Sequence, residues 1–163
     1  MSSQGCEIIT DPDMIKQTDV DSFLRSRFRN IKGLPLYEPW FAKKCLYEVE
    51  CMLLNHYHID GYFLVRPEFQ GEKVYLMLSV VFNDSILHFK ILQVKRYVYF
   101  TIFRLISHFF YFQKKIFHKN VFCLESGSAN FATIQALIEF YKLNLTKPLP
   151  CYLTESPFAQ RSA

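Results

Sequence analysis

The chain has 163 residues, half of them apolar and 21% charged, with a formal net charge of +4. That length suits one domain with short extensions, long enough to bury a core without covalent staples. The mild positive charge forms no Lys/Arg stripe and so argues against a nucleic-acid binder. Cys6, Cys45, Cys51, Cys123 and Cys151, odd in number and without a CxxC, argue against a disulfide framework or zinc site and for reduced thiols in the cytoplasm.

The opening MSSQGCEIITDPDM has neither a basic n-region nor an apolar h-region, so it is no secretory signal and reads as a poorly ordered lead-in to about residue 20. DSFLRSRFRNIK, Asp21–Lys32, is expected to be a solvated basic linker, with a short helix as the alternative. Gly33, Pro35 and Pro39 then block regular structure, so the domain is expected over 37–155, after an N-terminal extension (1–36) and before a C-terminal tail (156–163). CLYEVECMLL places Leu46, Val49 and Leu53 on one helix face, with Met52 alongside. GYFLVR is a short apolar strand that Pro67 is expected to end, and FQGEK a loop. VYLMLSVVF and ILHFKIL are strands joined at Asn83-Asp84-Ser85 into an antiparallel hairpin. VFCLE is a further strand. ATIQALIEFYKLN is a helix with Ile134, Leu137, Ile138 and Tyr141 inward. Helix, strands and helix in that order predict an α+β fold, a central antiparallel sheet flanked by two helices.

These pieces resemble the SH2 domain. The resemblance rests on Pro39-Trp40-Phe41, the helix ending in MLL, DGYFLVRP, LSVVF, LHFKI and FATIQALIEFY with LTKPL behind it, six pieces in order over most of Trp40 to Pro150. It implies a non-catalytic module that binds phosphotyrosine in segments of tyrosine-phosphorylated proteins. It also implies a sheet separating the phosphotyrosine pocket from a pocket for the following residues. Arg66 then takes the phosphate, a role suited to a planar fork of charged donors. Taken alone, Arg66 would read as a strand end pointing to solvent. His88 and Lys90 alternate onto one strand face and by resemblance line the phosphotyrosine pocket, while Phe89 helps choose the residue after phosphotyrosine. Without the resemblance, His88 would be a core histidine and Lys90 a solvated charge. Ser79 and Tyr75 read as structural.

Two positions depart from the family. Tyr47 stands where many SH2 domains carry a basic phosphate ligand, and Lys43 or Lys44 compensates only if the loop brings one round. Glu68 stands where a Ser or Thr commonly donates to phosphate, and a carboxylate pointing inward would repel it. Backbone N–H groups of Phe69–Lys73 are a candidate anion nest. The expected pocket is therefore Arg66, His88 and Lys90, with Lys44 and Glu68 at its margin and no cofactor.

No GxGxxG, HRD, DFG or GxSxG motif occurs, and Cys51, His56 and His58 lack metal-ligand spacing, so no enzyme is expected. The alternatives are a phosphate-independent scaffold on the same fold, or a fragment or relative of a cytoplasmic tyrosine kinase lacking its catalytic domain. A monomer is expected.

Residues 94–113, VKRYVYFTIFRLISHFFYFQ, do not fit the family. Eight of the sixteen residues from Tyr97 to Phe112 are aromatic. As a membrane helix the run is short and contains Arg104 and His108, so membrane contact is confined to 97–112. It reads as a twenty-residue insertion between the third and fourth strands. It is either an extra strand or hairpin, or an intron translated in frame. Val94-Lys95 can encode a splice donor and Phe112-Gln113 an acceptor. Sequencing the messenger RNA separates these readings.

Overall fold

The structure, a computed structural model, describes residues 17–28, 34–71, 73–106 and 109–157. For 17–19, 97–106 and 109–118 only the backbone is described. Among the described residues, three helices and four strands follow in the order α1 (Gln17–Arg27), α2 (Leu46–Leu54), β1 (Phe63–Gln70), β2 (Lys73–Phe82), β3 (Ser85–Ile106), β4 (Phe109–Leu124) and α3 (Ile134–Leu143). The strands form one antiparallel sheet in the order β1-β2-β3-β4, the α+β class expected.

Strand alternation sends successive side chains to opposite faces. Phe63, Val65, Leu78, Val80 and Leu124 join Ile134, Leu137, Ile138 and Tyr141 of α3 in the larger core. Tyr62, Leu64 and Val81 join Val49 and Leu53 of α2 in the smaller one. The α3 stripe is buried at all four expected positions, and Thr133 caps the helix by accepting from the Ala136 N–H at 3.1 Å. On α2 only part of the expected face is inside, since Val49 and Leu53 are buried and Leu46 is exposed. Between β2 and β3, Asn83 and Asp84 both take positive φ, 49° and 56°, the handedness of a two-residue hairpin turn.

Three sequence expectations are corrected. The solvated linker over Asp21–Lys32 is in large part helix, because α1 brings Val20, Leu24 and Phe28 to one stripe against the larger core. Burying a leucine or phenylalanine side chain contributes about 1.5–3 kcal/mol, enough to hold an otherwise basic segment down. The lead-in before residue 17 lies outside the described residues.

Pro67 does not end β1, which continues to Gln70. The N–H of Val65 faces outward to the Trp40 carbonyl at 2.7 Å, away from β2. Two residues on, Pro67 has the same orientation, so its missing N–H removes no bond to β2. For the same reason FQGEK is not an open loop, since Phe69 pairs with Val74 and Gln70 with Lys73.

Residues 94–106, within the expected insertion, prolong β3, and 109–113 begin β4. β2 reaches along β3 only to the Leu76–Ile91 pair, and beyond Ile91 β3 pairs with β4 alone. The result is a two-stranded ribbon about 50 Å long at the usual rise per residue. No helix among the described residues is long and apolar enough to cross a membrane.

The expected tail begins with an anchored residue. Ser156 is buried and donates to the Pro39 carbonyl at 2.9 Å, while Phe63 N–H reaches the Glu155 carbonyl. The segments before α2 and after α3 therefore run along the outer edge of β1.

A charge pair fastens α1. Lys43 Nζ lies 2.5 Å from Asp21 Oδ1, both side chains largely buried. The hydrogen bond from Lys43 holds the Asp21 carboxyl below its usual range against the opposing effect of burial. The native state thus binds that proton less readily than the unfolded chain. The stabilisation is full above the ordinary carboxylate range and is lost as pH falls through the lowered native value. Asp21→Asn is expected to cost roughly 1–3 kcal/mol at pH 7 and much less at pH 3. Urea unfolding of both proteins at the two pH values measures this, and equal losses would exclude the charge pair as the cause.

Candidate functional site

The register places two rows of side chains on the α2 face of the sheet. Arg66 opposes Met77, which opposes Lys90, and Leu64 opposes Ser79, which opposes His88. Arg66 and Lys90 thus lie two strands apart, about 10 Å between backbones, close enough for long side chains to converge. Glu68 and Tyr75 form the next pair along β1 and β2.

Arg66 is buried, 2% exposed, so it is not a solvent-facing strand end. Its Nη1 group donates to the Pro67 carbonyl at 3.4 Å and pairs with Glu68 Oε2. Its Nε–H is buried and has no partner among the described residues. An unmet buried donor costs about 1–3 kcal/mol, and so marks a place where an acceptor is wanted.

His88 is held from both sides. Its Nδ1 lies 2.9 Å from Ser79 Oγ, and its Nε2 lies 3.2 Å from Glu50 Oε1. A carboxylate can only accept, so Nε2 carries a proton, and in the neutral ring Ser79 donates to Nδ1. Lys90 places its Nζ 3.3 Å from the centre of the Tyr75 ring, a cation–π contact. Phe89 belongs to the opposite face, partly buried against the larger core.

The two candidate lysines before α2 are engaged. Lys44 Nζ lies 3.0 Å from Glu48 Oε1, an exposed pair one helical turn apart, and Lys43 is held by Asp21. Tyr47 is 73% exposed. The Phe69–Lys73 nest is replaced by paired strand ends, with Gly71 at φ 60° in the turn. Among the described residues no three His, Cys, Asp or Glu side chains gather as a metal site.

A family model for the SH2 domain matches residues 40–141, more than half of the chain. The chain belongs to the SH2 family. A search of curated proteins finds no match. SH2 domains are non-catalytic modules of signalling proteins that bind phosphotyrosine-containing peptides, and the matched span contains both rows of the α2 face.

Within this SH2 domain, the site gains Glu50, which the sequence reading does not single out. Glu50 is one helical turn after Tyr47 and shares its side of α2, a spacing that was available as a signal. Ser79 and Tyr75, read as merely structural, hold the side chains of His88 and Lys90. Their partners lie on the neighbouring strand, so nothing local in the sequence names them.

Proposed function

We propose that this SH2 domain is a monomeric cytoplasmic adaptor module that captures tyrosine-phosphorylated segments of partner proteins, with Arg66 holding the phosphate. The observation that carries this reading is the buried Arg66 guanidinium with its unpartnered Nε–H. A phosphate oxygen supplies the missing acceptor and a counter-charge together. Lys90 stands two strands away on the same face to meet the remaining phosphate charge, and among the described residues it lies over Tyr75 and holds no carboxylate. His88 contributes after Nε2 leaves Glu50, and Lys44 after it leaves Glu48. Phe89, on the far face, bears on the residue following phosphotyrosine.

One observation favours a second reading. The Arg66–Glu68 ion pair already gives the guanidinium a counter-charge, as a phosphate-independent scaffold would require. Fluorescence anisotropy on a tyrosine-centred peptide library, in phosphorylated and unphosphorylated forms, separates the two. Phosphorylation is expected to strengthen the best binders by at least about tenfold, one charge-assisted contact's worth. Equal binding of both forms would leave only the scaffold.

A further inference from the structure

Four carboxylates of the chain already hold basic side chains that the sequence offers to a phosphate. Arg66 pairs with Glu68, His88 with Glu50, Lys44 with Glu48 and Lys43 with Asp21. Each cation that sequence reading offered to a phosphate, Lys90 excepted, already holds a carboxylate of the same chain. Glu68 matters most, because it meets the buried guanidinium itself and is two residues along the same strand face. Its side chain is 26% exposed against 3% for Arg66, so the carboxylate has solvent to move into and the guanidinium does not.

Building on the phosphate site above, we propose that Glu68 is an internal competitor for the phosphate. In the resting domain its carboxylate occupies Nη1 of Arg66, and an arriving phosphate displaces it. The phosphate takes over Nη1 and adds the Nε–H that Glu68 leaves unmet. Glu68 thereby sets the affinity of the pocket. The bound state replaces one single-oxygen contact with a two-point grip, while the free state avoids an uncompensated buried charge.

The test uses phenyl phosphate as the probe, titrated by calorimetry into the full chain. Glu68→Gln removes the charge and keeps an acceptor for Arg66, so the fold retains a partner. It is expected to bind phenyl phosphate about tenfold more tightly than wild type, the scale of one hydrogen bond to a charged group. In an Arg66→Lys background, whose ammonium cannot give the phosphate the Nη1–Nε pair, the same substitution is expected to gain less than it does beside Arg66. Wild type that binds while Glu68→Gln gains nothing would overturn the competitor role and leave the phosphate site standing. Absence of binding by both proteins would overturn the phosphate site and the competitor role together. A measurement on unaltered protein guards against misfolding of the variant. The Glu68 carboxyl carbon, followed by NMR, is expected to move toward the position of a free glutamate as phenyl phosphate is added. A resonance that stays fixed at saturation overturns displacement.

Discussion

Arg66→Ala is expected to lower affinity for phosphotyrosine peptides at least about 30-fold, since truncating one partner of a buried charged contact costs about 2–5 kcal/mol. The loss has two sources. The phosphate loses the fork of donors, and Glu68, no longer paired, remains beside the empty place as a repelling charge. Restoring neutrality in Arg66→Ala, Glu68→Gln is expected to recover the second part alone. Arg66→Lys is expected to fall between wild type and alanine, because an ammonium supplies charge without bidentate geometry. Peptide titrations of the four proteins, with circular dichroism to verify folding, measure these steps. Retention of wild-type affinity by Arg66→Ala would move the phosphate elsewhere in the domain.

The largest effect on stability is expected at Gly61. It takes φ +83° where the chain enters β1, its N–H donates to the Val81 carbonyl, and its carbonyl accepts from Thr154. A Cβ there would lie 2.0 Å from the backbone oxygen of Tyr152 and 3.1 Å from Thr154 Cγ2. The first of these is main chain, so no side-chain rotation relieves the clash. Left-handed geometry alone costs a non-glycine residue about 1–2 kcal/mol, and the clash adds to it. Gly61→Ala is expected to lose more than about 3 kcal/mol, lowering Tm by roughly 6–12 °C in a chain of this length. Gly71 is the control. It shares the handedness, φ +60°, but a Cβ there meets nothing within 4 Å. Gly71→Ala is therefore expected to lose only about 1–2 kcal/mol. Equal losses at the two glycines in thermal melts would mean that the Tyr152–Glu155 segment does not pack against β1 as described.

Legibility in the sequence followed the range of the contacts involved. The α3 stripe repeats within ten residues, and all four of its inward positions were readable. α1 was misread because Arg25 and Arg27 lie among its apolar positions and conceal Val20, Leu24 and Phe28. The strand end at Pro67 was misread because the cost of proline depends on which side of the strand has a neighbour, and that is decided by topology. At the site, Arg66, His88 and Lys90 were legible from their strands and do share one face. The carboxylates on Arg66 and His88 divide in the same way. Glu68 is near Arg66 in sequence and was noticed, whereas Glu50 reaches His88 from another element and was not.

The ribbon beyond Ile91 has a consequence for its own removal. Gln93 faces Phe122 and Val94 faces Val121, so the rungs above them consist of matched halves. Halves taken away together leave the remaining ladder in phase. A cut of 94–113 is unequal: it takes all of β3 above Gln93 but only the first five residues of β4, leaving 114–121 with nothing opposite. Those eight residues can then serve only as the connection back to Phe122, whose bonds to Phe131 fix where the strand must resume. Because a slip of one residue turns every side chain to the other face, that fixed point protects the register. The rungs carrying Arg66, Ser79 and His88 all lie below the line of such a cut.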